Sequence, residues 1–126
     1  DSLDIMGSAA SVRGDDNAQV FIGTSTISCL DTVDISGQKT PATNCDGVYL
    51  SSSTLSAAGA VTITGDGIGV DAISYAGVHI EASSVSTSST LQMDGTVFGL
   101  ENDYGLWVDA TSALFSMDQQ LSGACS

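Results

Sequence analysis

Apolar and polar residues alternate along this chain in short bursts. In residues 47–65, GVYLSSSTLSAAGAVTITG, Val48 and Leu50 flank Tyr49, Leu55 stands between Thr54 and Ser56, and Val61 and Ile63 flank Thr62. Alternation with period two, in runs rich in Val, Ile and Thr and bounded by Gly, Ser and Asp, predicts three short half-buried strands. No stretch of useful length carries the 3.6-residue period of a helix.

The same stretch recurs. Residues 19–37 (QVFIGTSTISCLDTVDISG), 77–95 (GVHIEASSVSTSSTLQMDG) and 105–123 (GLWVDATSALFSMDQQLSG) align with it without a gap, and residues 2–7 (SLDIMG) fit the end of the unit. The closing glycines, Gly7, Gly37, Gly65, Gly95 and Gly123, are spaced 30, 28, 30 and 28 residues apart. Self-similarity at such a period is the mark of stacked repeats, each burying its apolar face on its neighbours.

Read down the repeats, the inward positions form columns of like residues. Val20, Val48, Val78 and Leu106 make one, and Ile22, Leu50, Ile80 and Val108 the next. Ile27, Leu55, Val85 and Ala113 make a third. Val33, Val61, Leu91 and Gln119, then Ile35, Ile63, Met93 and Leu121, complete the set, with Leu3 and Ile5 continuing the last two. Equivalent side chains stacked at about 4.8 Å describe a parallel β-solenoid. The predicted fold is all-β: one domain over residues 1–126, about four coils of about 29 residues, with no obvious caps.

Between the units lie residues 8–18, 38–46, 66–76 and 96–104, rich in Gly, Asp and Asn, and read as loops. The later two carry Ile68, Val70, Ile73, Val97, Phe98 and Leu100, which suit loops lying back on the coil. The last unit departs from the pattern. Ala113 and Gln119 fall in inward columns, while Leu114, Phe115 and Met117 fall where the other units are polar. Either a register shift or a specialised terminal coil accounts for this.

One outward column is aromatic: Phe21, Tyr49, His79 and Trp107. An exposed stripe of rings suits contact with a neighbouring chain or with the face of a sugar; the bland reading is that the rings stack on one another under a loop of the same chain. His79 is read as a ladder member rather than a base or ligand.

Composition narrows the functions. The chain has 126 residues, 42 % hydrophobic and 13 % charged, with a net charge of -13. It is apolar enough to fold. With two basic residues, Arg13 and Lys39, against fifteen acidic ones, phosphate-backbone binding to nucleic acid is excluded. No apolar run is long enough for a membrane span. Cys29, Cys45 and Cys125 show no CxxC spacing, which argues against zinc. Cys29 and Cys45 are candidates for a disulfide and Cys125 for a thiol linking two chains, against the reading of three small buried thiols.

Asp66 and Asp71 near Gly67 and Gly69, and Glu101 with Asp103, are loop carboxylates of the type that binds Ca²⁺. Neither calcium-loop pattern is present, so solvated charge is favoured, and no cofactor or metal is expected. Polysaccharide-active enzymes need a cationic base or two matched carboxylates. Arg13 and Lys39 have no acidic partner cluster, and Asp31, Asp34 and Asp46 are a coincidence that an Asp-rich solenoid offers freely. No catalytic residue is assigned. An ice-binding array is disfavoured because Thr24 and Thr26 do not align with Thr62 and Thr64.

The phrase GVYLSSSTLSAAGAVTITGDG, followed by a Gly/Asp loop and GVHI, resembles repeats of the filamentous-haemagglutinin-like bacterial adhesins. That resemblance implies a right-handed parallel β-helix and a secreted protein of the bacterial cell surface, structural or adhesive in role. The stretches around Leu3, Ile5 and Gly7 and around Leu121 and Gly123 occupy the same phase of the unit, so one copy's tail is expected to stack on another's head. A contact of that kind that does not close generates a filament. The reading is a structural, non-enzymatic filament protomer, rising about 19 Å per subunit. The alternative is an adhesin module binding surface glycans, and the remote one a polysaccharide-active enzyme.

Overall fold

The computed structural model describes residues 2–7, 18–37, 45–69, 74–99 and 103–125, with the backbone alone for 4–7. The chain begins with β1 (Leu3–Gly7) and then visits three faces in turn. The first pass is β2 (Ala18–Gly23), β3 (Thr26–Cys29) and β4 (Val33–Gly37), and the second β5 (Asp46–Ser51), β6 (Thr54–Ala57) and β7 (Val61–Gly69). The third is β8 (Ala76–Glu81), β9 (Ser84–Thr87) and β10 (Thr90–Gly99), and the fourth β11 (Tyr104–Val108), β12 (Ala113–Phe115) and β13 (Asp118–Cys125). No helix occurs among the described residues.

Strands of one face pair with their equivalents a turn away, all in parallel, giving the orders β11-β8-β5-β2, β12-β9-β6-β3 and β1-β4-β7-β10-β13. These are the first, second and third faces below. Paired residues are 28 or 30 apart, as the repeat predicts, except between β9 and β12, where they are 29 apart. From β2 round to β11 the chain makes about three full turns of about 28 residues, against the expected four.

The predicted columns form the core. Ile35, Leu50, Ile63, Ile80, Leu91 and Met93 are fully buried. At about 1.5–3 kcal/mol for each aliphatic side chain withdrawn from water, these columns carry the main favourable term. Burial fades at the ends: Ile22 is still buried, but Leu106, Val108 and Leu114 are only partly so.

The last coil corrects the alignment. Leu114, and not Ala113, pairs with Val85 and continues the column of Ile27 and Leu55. The corner after Val108 holds one residue more than its equivalents, and the corner after β12 one fewer, so Gln119 returns to register opposite Leu91. Because side chains alternate across a strand, one added residue moves every apolar group of β12 to the other face. The register shift accounts for Leu114, which moves inward, while Phe115 and Met117 stand exposed.

The corners are held by polar backbone caps. Thr24, Ser52 and Ala82 take positive φ at the bend between the first two faces. One residue on, Ser25, Ser53, Ser83 and Ser112 make a ladder. The N–H of Ser25 donates to Ser53 Oγ at 3.1 Å, that of Ser53 to Ser83 Oγ at 3.0 Å, and that of Ser83 to Ser112 Oγ at 3.1 Å. Each hydroxyl donates onward to a carbonyl, so these bends keep their backbone groups paired. In the longer last corner the Asp109 carboxylate accepts from Ala82 N, Thr111 and Ser112.

The unit-closing glycines mark where the third face presses on the first. A Cβ on Gly65 would lie 2.0 Å from the carbonyl oxygen of Gly77, and one on Gly77 would lie 2.3 Å from the amide nitrogen of Thr96. Only hydrogen fits between these backbones. The segments read as loops from Asp66 and Thr96 begin as strand instead, with Val97 fully buried and Ile68 bridging antiparallel to Cys45.

Candidate functional site

The outward column of the first face is a ring ladder. Tyr49 and His79 stack with centroids 4.4 Å apart and planes 9° from parallel, and His79 and Trp107 stack at 4.3 Å and 8°. Phe21 meets Tyr49 at 5.4 Å in a tilted contact, and Tyr104 leans on Trp107 at 5.0 Å. The register that aligns the backbone aligns the rings, since Phe21, Tyr49, His79 and Trp107 are direct partners.

The ladder is not the open stripe its outward phase predicts. Tyr49 is 6 % exposed, while Phe21 at one end is 47 % exposed. Both faces of His79 are occupied by rings, so a sugar finds no free aromatic face at the middle of the column. Polar groups close it further: the Tyr49 hydroxyl donates to Glu81, and His79 Nδ1 lies 3.2 Å from Asp46 Oδ2.

Asp46 is one of two buried carboxyl groups among the described residues, with Asp103. Its other oxygen, Oδ1, accepts from Ala76 N at 2.5 Å, and Asp103 Oδ1 accepts from Tyr75 N at 2.9 Å. Carboxylates from the coils on either side thus cap the entry of the third pass into the first face. Desolvation raises the Asp46 pKa above the ordinary carboxylate value, opposed by the bonds with His79 and Ala76 N. Nearby, Gln19 Nε2 donates to the Asp66 carbonyl at 2.9 Å, while its buried Oε1 has no partner among the described residues. On the third face, hydrogen bonds from Ser122 and Gln92 hold the Asp94 carboxyl below its ordinary range.

The expected disulfide is not formed: no bond joins Cys29, Cys45 and Cys125 to one another. Cys29 sits on the second face opposite Ala57, with its Sγ 3.4 Å from the Thr32 carbonyl, whereas Cys45 is buried at the entry to the first face against Ile68. Burial raises the Cys45 pKa. Cys125 ends β13 and reaches the Asp103 carbonyl. Of the chain-end residues, Leu3, Ile5 and Gly7 pair with Val33, Ile35 and Gly37 at one edge of the third face, and Leu121 and Gly123 pair with Met93 and Gly95 at the other.

Arg13, Lys39, Asp71 and Glu101 lie outside the described residues. No cluster of three or more metal-ligating side chains occurs among the described ones. Asp31, Asp34 and Asp46 do not converge, since Asp34 stands exposed on the third face and Asp46 is buried at the first. No described helix is long and apolar enough to cross a membrane.

Sequence reasoning missed two rows of hydroxyls on the second face. Thr26, Thr54 and Ser84 align, as do Ser28, Ser56 and Ser86. The second row opens onto a groove of about 340 Å³ that Cys29, Ala57 and Thr87 also line. The signal was in the sequence, since T-x-S, T-x-S and S-x-S stand at equivalent positions of three units.

No family model, curated protein or solved structure matches the chain. The parallel β-solenoid therefore stands on its own geometry, and no family match supports the adhesin resemblance.

Proposed function

We propose that this chain is a structural, non-catalytic protomer of an extracellular filament, in which the terminal coil of one copy receives the first coil of the next. The observation that supports the reading is the exposure of the inward column at one end: Leu121 is 44 % exposed, whereas Ile35, Ile63 and Met93 in the same column are fully buried. The same coil presents Phe115 and Tyr104 to solvent. β13 has a strand partner on one side only among the described residues, and such edges recruit further strands. The resemblance to cell-surface adhesins fits a secreted location.

Negative-stain microscopy and sedimentation of the purified chain test this. The wild-type chain forms fibres with an axial rise near 19 Å per subunit, from about 4.8 Å per rung, and Leu121→Asp remains monomeric. A wild-type chain that stays monomeric at high concentration rejects the reading.

The alternative, an adhesin module binding surface glycans, draws on the hydroxyl-lined groove rather than the ring ladder. Glycan-array binding lost in Ser56→Val supports it.

A further inference from the structure

The filament contact proposed above, on which this inference rests, has a rung count to satisfy. Among the described residues the third face carries five strands, and the first and second carry four each. At the leading end, β11, β12 and β13 lie on one level. At the other end, β2, β3 and β4 lie on one level and β1 stands one rung beyond them.

Bringing β2 of a following copy onto β11, and its β3 onto β12, sets its β4 beside β13. Its β1 would then need the rung that β13 already fills. If β1 stays and stacks on β13 instead, the first and second faces each lack a strand at the joint. The exposed Phe21 of one copy then stands too far from Trp107 of the other to meet it.

We propose that β1 is a displaceable plug: filament growth requires it to leave the edge of β4, where β13 of the neighbouring copy takes its place and its register.

The two strands are equivalent in phase. β1 sets Leu3, Ile5 and Gly7 opposite Val33, Ile35 and Gly37, and β13 sets Gln119, Leu121 and Gly123 opposite Leu91, Met93 and Gly95. Moved onto β4, β13 brings Leu121 over Ile35 and Gly123 over Gly37. The register of β1 sets Asp4 opposite Asp34, and residues of like charge at opposed positions of neighbouring strands are disfavoured. In the exchange the uncharged Gln120 replaces Asp4 opposite Asp34, which removes the like-charged pair.

The gain lies on the other two faces. Val20, Ile22 and Ile27 come to rest on Leu106, Val108 and Leu114, closing every column left partly open at the ends. Phe21 then stacks on Trp107 and the ring ladder runs on from copy to copy.

The test uses the full chain. Asp4→Asn removes the repulsion, seats β1 more firmly and slows filament growth by about two- to fivefold. Leu3→Asp unseats β1 and speeds growth by about tenfold. Ser36→Cys with Ser122→Cys places the two thiols on partnered positions of different copies, so mass spectrometry of oxidised filaments finds the 36–122 link between chains. Filaments that form without this link, or that grow in Asp4→Asn as fast as in wild type, overturn the plug and leave the filament reading standing. A wild-type chain that never forms filaments overturns both.

Discussion

Among the described residues, three that are not glycine bend the chain at positive φ: Thr24 at 48°, Ser52 at 50° and Ala82 at 46°. The left-handed region costs a residue with a Cβ about 1–2 kcal/mol, and a β-branched one is strained most. Thr24 is exposed, so its side chain contributes little packing in return. Thr24→Gly is expected to raise stability by about 1 kcal/mol, seen as a melting midpoint about 3–5 °C higher. An unchanged or lower midpoint would show that the bend carries no such strain.

Asp46 gives the residue scale its pH dependence. Burial raises its pKa in the folded chain, and unfolding returns it to the ordinary value near 4. The folded state therefore takes up a proton more readily than the unfolded one. The stability this supplies is full below the ordinary carboxylate pKa and is lost as pH rises through the raised value. Asp94 and Asp109, held below the ordinary range, act in the opposite sense but are solvent-screened. Urea midpoints measured across about pH 4 to 7 are expected to change in Asp46→Asn by losing a component that falls with rising pH. Parallel profiles for mutant and wild type would remove Asp46 as its source.

At the scale of elements, the last coil shows how a strand's frame is set by its corner. The added residue between Val108 and Leu114 turns Leu114 onto the core and Ala113 away from it. Leu114→Ala should cost about 2 kcal/mol, toward the low end for a leucine because the site is only partly buried. Ala113→Ser should cost less than about 0.5 kcal/mol. Denaturant midpoints decide it, and a larger loss at Ala113 would restore the gapless alignment. Strand frame is linked here to corner chemistry, since the longer corner is the one organised by the Asp109 carboxylate.

Over the whole molecule, a net charge of -13 on a single column of coils opposes compaction and end-to-end contact alike. The screening length falls from about 30 Å at 0.01 M salt to about 3 Å at 1 M. Raising sodium chloride across that range is therefore expected to raise the urea midpoint and to speed filament growth together. A midpoint that falls with salt would mean that favourable ion pairing, and not repulsion, dominates the surface.

The amino-acid sequence by itself determined the period, the parallel coil and four of the five core columns along their full length. The reason is physical: in such a coil each residue's principal neighbour is its own equivalent one turn away, so repetition along the chain is already a map of contacts. The ring ladder was legible for the same cause. Only the tertiary structure decided that the ladder's middle is closed, that Leu114 replaces Ala113, and that Asp46 and Asp103 cap the third pass. Those outcomes turn on an extra residue at one corner cancelled at the next, which a gapless repeat hides, and on side-chain-to-backbone contacts one coil apart at positions just before each unit, where the residue type changes from coil to coil and forms no column.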